Sequence, residues 1–388
     1  MMKILRFLVG IQAFLILAVS ASFVGAQPAM IPAPPQVGAS SYVLMDATTG
    51  EIIIEENAYE SLPPASLTKM MTAYIVESEI AQGNVALTDE VPVSVKAWRT
   101  GGSKMFIKEG TKVLLEDLLK GVIIQSGNDA SIALAEFLAG SEEAFADIMN
   151  QQAARLGMTG SSFINATGLP SESHYSTAHD MALLARAIIQ DYPEQYEVYK
   201  EKYFTYNNIR QPNRNRLLWR DKSVDGLKTG HTEEAGYCLV ASAKREDMRL
   251  ISVVMGTSSE EARVKETQKL LNYGFRYYET TPLYSAGEVL NETKVWGGSI
   301  DQLNLGLAEA VTVTIPRGHK SELVATLEID PIVKAPVALG DKLGRLLVTL
   351  DGKTLVDQNV VALQDVDQGG LFKRIWDWIK LFFLGLFS

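Results

Sequence analysis

Three short patterns place hydroxyls and amines where acyl-transfer chemistry could use them. Ser66-Leu-Thr-Lys69 sits where Pro63-Pro64-Ala65 ends and a helical pattern (Met70, Ala73, Tyr74, Val76) begins. On a helix, residues three apart share a face, so the Lys69 amine can reach the Ser66 hydroxyl. A serine at a helix N-terminus also feels the positive end of the macrodipole. Lysine can act as its base when burial and a neighbouring cation lower the amine's pKa. The same four residues would equally describe an N-capping serine beside a solvated lysine. Ser126-Gly127-Asn128 lies between the apolar stretch Leu114–Ile124 and a helix starting near Ala130. Such a turn can present a hydroxyl and an amide to a cleft, or Asn128 or Asp129 can simply cap a helix. Lys228-Thr229-Gly230 ends a short strand, where Gly230 permits close backbone approach; an ordinary charged strand end is the plainer alternative.

The surrounding elements must bring these patterns together. Ser41–Met45 and Ile52–Glu55 flank Asp46-Ala-Thr-Thr-Gly50 and read as a hairpin. From Leu67 to about Gln190 the pattern is mainly helical. Strands return at Gly226–Thr229, Gly236–Lys244 and Arg249–Gly256, followed by a helix from about Ser259 to Tyr278. This order predicts an α+β body, a helical lobe packed on an antiparallel sheet, over residues 27–280. From Thr280-Thr-Pro-Leu283 the composition changes. Val311–Ile315 alternates, and Leu346–Leu350 runs into the hairpin signal Asp351-Gly352, so 281–367 reads as a small all-β domain.

Both ends look specialised. Lys3 and Arg6 precede an apolar stretch, Phe7–Val19, and Val24-Gly25-Ala26 offers the small residues of a cleavage site; 1–26 reads as an export signal. An uncleaved anchor is the alternative, and either places the chain outside the cytoplasmic membrane. Over 368–388, Phe372, Ile375, Trp376, Ile379, Phe382, Phe383 and Leu386 share one helix face. Lys373, Arg374, Asp377 and Lys380 share another sector. The longest uncharged run, Leu381–Ser388, is far short of the ~20 residues a membrane span requires, so an amphipathic helix lying in the interface is expected. The alternative is a terminal helix docked on the protein's own core.

Composition removes other classes. Across 388 residues, 36 Lys+Arg against 46 Asp+Glu give a net charge of −10, without a basic run, so no nucleic-acid partner is expected. One cysteine, Cys238, excludes an internal disulfide. Four histidines without metal-ligand spacing argue against a metal site, and no motif calls for a cofactor. Cys238, alternating with Tyr237 and Leu239, reads as a buried thiol. Asp180 reads as a helix start or cap, and Trp98–Met105 as a mobile flap or an ordinary surface loop.

The three patterns in this order resemble those of the penicillin-recognising serine acyl-enzymes, the penicillin-binding proteins and serine β-lactamases. Over essentially the whole mature chain the sequence is similar to the low-molecular-mass penicillin-binding proteins of the D-alanyl-D-alanine carboxypeptidase type. The likeness is close in Pro-Pro-Ala-Ser66-Leu-Thr-Lys69, Ser126-Gly-Asn-Asp-Ala130 and Asp225-Gly-Leu-Lys228-Thr-Gly-His-Thr232. Ser176-Thr-Ala-His-Asp180 and Lys269-Leu-Leu-Asn-Tyr-Gly-Phe275 also look like that family, as do the β-rich domain and the tail.

The resemblance implies removal of the terminal D-Ala from peptidoglycan pentapeptide stems at the periplasmic face of the cytoplasmic membrane. It also implies covalent inhibition by β-lactams and attachment to the outer surface of that membrane through the C-terminal helix. It casts Ser66 as nucleophile, Lys69 as base beside cationic Lys228, and Ser126 as proton relay. Asn128 would bind the substrate amide or hold Lys69. Lys228, Thr229 and Arg263 would face the terminal carboxylate, Gly230 would admit the substrate backbone, and the amides of Ser66 and His231 would form the oxyanion hole. For Arg263, neighbouring Glu260, Glu261 and Glu266 leave open a plain surface pair. A β-lactamase, a D,D-endopeptidase and a non-catalytic envelope-binding protein are the alternatives. Gly127 where class A β-lactamases carry an acid, and the absence of their deacylating Glu pattern, count against the first.

Overall fold

β1 (Ser41–Asp46) and β2 (Ile52–Glu56) form the expected hairpin, and β1 lies on its other side against a strand some 200 residues later. The computed structural model describes residues 31–387, with side chains through Leu384; the export-signal expectation over 1–26 lies outside the described residues. After β2 a 3₁₀ turn, Ala65–Thr68, opens α1 (Lys69–Ala81). A ribbon of β3 (Glu90–Pro92) and β4 (Lys112–Leu114) brackets α2 (Val95–Arg99). α3 (Leu115–Lys120), α4 (Asn128–Ala139), α5 (Glu142–Arg155) and α6 (Ala178–Asp191) complete the helical lobe. α7 (Pro193–Tyr196), the ribbon β5 (Tyr203–Tyr206) with β6 (Ile209–Pro212), and α8 (Leu217–Arg220) lead back to the sheet. There β7 (Val224–Thr232), β8 (Gly236–Arg245) and β9 (Met248–Thr257) precede α9 (Glu260–Tyr277), whose N-cap is Ser259.

The five strands run in the order β2-β1-β9-β8-β7, all neighbours antiparallel. The long apolar runs of the central strands β8 and β9 follow from burial on both faces. On β9, Ile251, Val253 and Met255 face the helical lobe while Leu250 and Val254 face α9, as the two-residue period of a strand requires. Gly274 lets α9 seat closely: a Cβ there would stand 2.6 Å from Leu250 Cδ1. The consequence for function is that β7 is the sheet's edge, free to present one side to a cleft.

β10 (Tyr278–Tyr284) follows α9 directly and pairs with β13 (Val311–Pro316), so the element leaving the body crosses the expected break at 280. A six-stranded sheet contains β11 (Val289–Trp296), β12 (Gln302–Gly306), β14 (Val324–Ile329), β15 (Val333–Lys334), β16 (Lys342–Leu350) and β17 (Lys353–Ala362). β16 and β17 turn at Asp351-Gly352, both with positive φ, the chemistry a tight hairpin demands. The buried Asp46 carboxylate accepts from the hydroxyls of Thr280 and Thr314 and so ties body to β domain.

α10 (Leu371–Phe387) is the expected amphipathic helix, but part of its polar side is occupied while Arg374 and Lys380 stay exposed. Asp377, expected among exposed charges, is buried and accepts from the Gly297 amide at 2.9 Å, while Lys373 pairs with Asp301 at 2.8 Å. The helix therefore docks on the β domain through its charges. Phe372, Trp376, Trp378, Phe382 and Phe383 remain exposed.

Candidate active site

The serine turn is shaped before any chemistry is considered. Ala65 takes φ +47°, a costly conformation for a residue with a Cβ, and turns the chain into the 3₁₀ segment. Lys69 is the first residue of α1 and only 1% exposed. Its Nζ lies 3.0 Å from Ser66 Oγ and donates to the Thr167 carbonyl at 2.5 Å. That carbonyl is itself held. Asn165 Oδ1 accepts from the amides of Thr167 and Gly168 and from the Thr167 hydroxyl. Gly168, at φ +80°, lies so near the serine turn that a Cβ would stand 1.8 Å from the Ala65 carbonyl oxygen.

Burial is the first cause that drives the Lys69 amine down to about 7 from 10.5; the Arg214 guanidinium adds to it and Asp129 opposes it. Arg214 is a cation the sequence reading did not name; Lys228, to which it gave the role, lies close enough for its own amine to feel the charge of Lys69. A hydroxyl beside an amine that is about half unprotonated at neutral pH can work as a nucleophile–base pair.

Ser126 is delivered by a strained connection. The apolar stretch expected as one helix is α-helical only to Lys120 and continues as a π-helical turn, Gly121–Gln125. Gly127 N donates back to the Gly121 carbonyl at 2.9 Å. Ser126 then takes φ +65°, a left-handed conformation costing about 1–2 kcal/mol for a residue with a side chain. Opposite it, Lys228 of β7 is buried and donates to Ser126 Oγ at 2.8 Å and to the Thr229 carbonyl at 2.9 Å. Burial first, and then the charges of Lys69, Arg214 and Arg263, push the Lys228 amine well below its ordinary value. The guanidiniums of Arg214 and Arg263 make this wall positive, and a bound anion would favour the protonated form of the neighbouring amines.

Neither Asn128 nor Asp129 caps α4. Asn128 Nδ2 donates to the Gly101 carbonyl at 2.8 Å. Asp129 accepts from the amides of Met105, Phe106 and Ile107, which ties the loop after α2 to the site. Likewise Thr177, not Asp180, caps α6; Asp180 sits in its first turn and accepts from Ser161 Oγ. Cys238 is buried as expected, and burial raises its thiol to about 11.

Thr229 and Arg263 are buried at the other wall of the cleft. Gly230 brings β7 against the serine turn, since a Cβ there would meet the Pro64 carbonyl at 3.0 Å. Arg263 Nη1 donates to the Gly230 carbonyl at 3.2 Å, and its Nε has no partner among the described residues. Of the three glutamates beside it, Glu261 pairs with Arg220 and Glu266 with Lys269; only Glu260 approaches it, at 3.5 Å. His231 stacks on Tyr237, with ring centroids 4.0 Å apart. Ser66, Ser126, Thr229, Gly230, His231 and Arg263 line one cleft of about 240 Å³ together with Arg214. Sequence reasoning missed Arg214, which carries no motif, and the Asn165–Gly168 loop, whose Asn-Ala-Thr-Gly turn composition was the available signal.

A serine–lysine pair, a second serine–lysine pair and an arginine-rich wall define a serine acyl-transfer site of the penicillin-recognising fold. The chain belongs to the D-alanyl-D-alanine carboxypeptidase family of peptidases, which it matches over residues 28–259; residues 278–368 match the C-terminal domain of penicillin-binding protein 5. It is 45% identical to D-alanyl-D-alanine carboxypeptidase DacC of Escherichia coli over 98% of this chain and 96% of the relative. Its identity to DacF of Bacillus subtilis is 36%, over 88% and 90%. Penicillin-binding protein 5 from Haemophilus influenzae superposes with a TM-score of 0.84 at 43% identity, over 87% of this chain and 100% of that one. The ampicillin-bound penicillin-binding protein D2 of Listeria monocytogenes superposes at 0.58 and 32% identity, over 62% and 100%.

Proposed function

We propose that this chain removes the terminal D-Ala from peptidoglycan pentapeptide stems through an acyl-enzyme on Ser66, and that penicillins are trapped at the same serine. The observation that carries the reading is the 3.0 Å separation of Lys69 Nζ from Ser66 Oγ, with the amine brought to about 7 by burial. Neutral Lys69 takes the Ser66 proton as Oγ attacks the carbonyl of the penultimate D-Ala. The amides of Ser66 and His231 stabilise the oxyanion, an interaction worth on the order of 3 kcal/mol per donor. Protonated Lys69 returns that proton through Ser126, held by Lys228, to the departing D-Ala amine; water then adds to the ester, releasing the shortened stem as a carboxylic acid and restoring the Ser66 hydroxyl. Thr229, Arg263 and the ammonium of Lys228 bind the terminal carboxylate, whose arrival favours the protonated form of Lys228. Asn128, fixed by Gly101, positions the substrate amide, and Gly230 lets the substrate strand lie close to β7.

The chain would act outside the cytoplasmic membrane, with residues 1–26 as the export signal and 27–280 as the catalytic body. No helix among the described residues is long and apolar enough to cross a membrane. The exposed aromatic side of α10 supports attachment to the outer face of the cytoplasmic membrane, and the domain of residues 281–367 would hold the cleft above the bilayer. Incubating the purified protein with a pentapeptide stem tests the activity: free D-Ala should appear, and Ser66→Ala should abolish it. Persistence of D-Ala release in that variant would overturn the assignment.

A further inference from the structure

α10 sits against Trp296 at the end of β11, and a groove runs along each flank of the helix. The first, of about 590 Å³, lies between Ile375, Trp378, Leu381 and Phe382 of the helix and Trp296 and Ala335 of the β domain. The second, of about 550 Å³, lies between the same tryptophan and Trp376, Ile379 and Phe383. Both helix and domain contribute to each wall, so neither groove exists in an isolated helix. The Asp377–Gly297 hydrogen bond and the Lys373–Asp301 pair hold the two elements together and thereby fix the grooves.

Cations stand at the rims. Lys334 of β15, paired in register with Trp296, and Arg374 of α10 line the first groove, and Lys380 lines the second. Lys294 Nζ lies 3.7 Å from the centroid of the Trp296 ring. All four are exposed. None forms an ion pair among the described residues. Asp377, the one carboxylate lining either groove, already accepts from Gly297, and Asp301, whose charge Lys294 and Lys380 also feel, is engaged by Lys373. The chain as a whole carries −10, so this end is of opposite sign to the rest. Aromatic walls beneath a basic rim match the chemistry of a bilayer interface, where rings sit at headgroup depth and cations meet phosphates.

We infer that the two grooves seat anionic phospholipids. One headgroup phosphate lies at Lys334 and Arg374, another at Lys294 and Lys380, and the upper parts of the acyl chains lie against the aromatic walls. This rests on the membrane-attachment reading above and adds two things to it. The site prefers a charged headgroup, and the β domain itself binds lipid through Lys294 and Lys334. Because α10 is docked on that domain, lipids held between the two would fix the tilt of the catalytic body over the bilayer.

The experiment measures flotation of the full chain with vesicles of phosphatidylcholine alone and of equimolar phosphatidylcholine and phosphatidylglycerol. The wild type should bind both, and the anionic vesicles about tenfold or more tightly. Lys294→Ala and Lys334→Ala, which leave the helix untouched, should each weaken binding to anionic vesicles about fivefold, the scale of one cation at a charged surface, and change binding to phosphatidylcholine less than about twofold. Ala335→Phe, which fills the first groove without altering charge, should also reduce the preference. Lys320→Ala, a lysine of the same domain that lines neither groove, should leave it intact. Labelling with a fluorescent penicillin confirms that each variant is folded. Equal binding of wild type to both vesicles, a preference that survives Ala335→Phe, or a loss with Lys320→Ala as large as with Lys334→Ala would overturn the inference. Failure of the wild type to bind either vesicle would strike the attachment reading, and this inference with it.

Discussion

Lys228 donates a 2.8 Å hydrogen bond to Ser126 Oγ, joining the sheet's edge strand to a left-handed serine between two helices. The contact sets a second buried amine beside the serine that lines the cleft. It also explains why the serine's backbone strain is tolerated: the hydroxyl is placed where a buried amine needs an acceptor. Lys228→Ala removes that support and a carboxylate partner together. Acylation by peptide should fall by about two to four orders of magnitude, as for loss of a positioned proton-transfer group, with the fold retained by circular dichroism.

The pH profile of acylation follows from Lys69. Its pKa in the fold is lowered from 10.5 to about 7, so the free base accumulates as pH rises through about 7. Penicillin acylation should climb about tenfold per pH unit below that value and level off above it. Stopped-flow labelling from pH 5 to 9 measures this. A rate still climbing about tenfold per unit at pH 9 would place Lys69 in its solvated, protonated form.

Arg263 is buried, donating to the Gly230 carbonyl at 3.2 Å, with Glu260 3.5 Å away at the surface. Arg263→Ala should cost a charge-assisted hydrogen bond of about 1.5–3 kcal/mol, roughly ten- to a hundredfold in kcat/KM for D-Ala release. Amidating the substrate's C-terminus should hurt the wild type far more than the variant. Equal sensitivity in both would contradict the role.

His174 links the loop that holds Lys69 to the serine turn. Ile164 N donates to its Nδ1 at 3.1 Å, so Nε2 carries the hydrogen and donates to Thr68 Oγ1, 2.7 Å away. Burial, then the charge of Lys69, lowers the ring's pKa from 6.5 to about 4. Between those values the unfolded chain binds a proton that the folded chain refuses, so stability should decline as pH falls through that window. His174→Gln, which removes the titrating ring, should flatten that slope in thermal melts between pH 4 and 6.5.

The sequence exposed the serine–lysine pair, the second serine and the edge-strand lysine because each lies in a short local pattern. The alternation of β8 and β9 and the Asp351-Gly352 turn were legible for the same reason: period and turn chemistry are local. What stayed hidden depends on approach between distant segments. Thr167 meets Lys69 across the chain, Gly168 is required by the Ala65 carbonyl, and Arg214 acts through charge without any motif. Asp377 shows the converse. Helical spacing placed it correctly on the polar side, but could not reveal that this side rests on the β domain.

Truncation after Gln368 removes α10 and with it the exposed Phe372, Trp376, Trp378, Phe382 and Phe383. Such side chains contribute about 1.5–3 kcal/mol each when buried, more than screened headgroup attraction. The full chain should therefore remain on vesicles in high salt, whereas the truncated chain should float free with unchanged activity on small peptides. Vesicle flotation measures both; release of the full chain by salt alone would contradict the anchoring role.

The most direct test of the account is the site of the covalent penicillin adduct. Mass mapping of the protein after benzylpenicillin treatment should find the added mass on the peptide containing Ser66, and none after Ser66→Ala. An adduct on any other residue, or a labelled Ser66→Ala variant, would contradict the central claim.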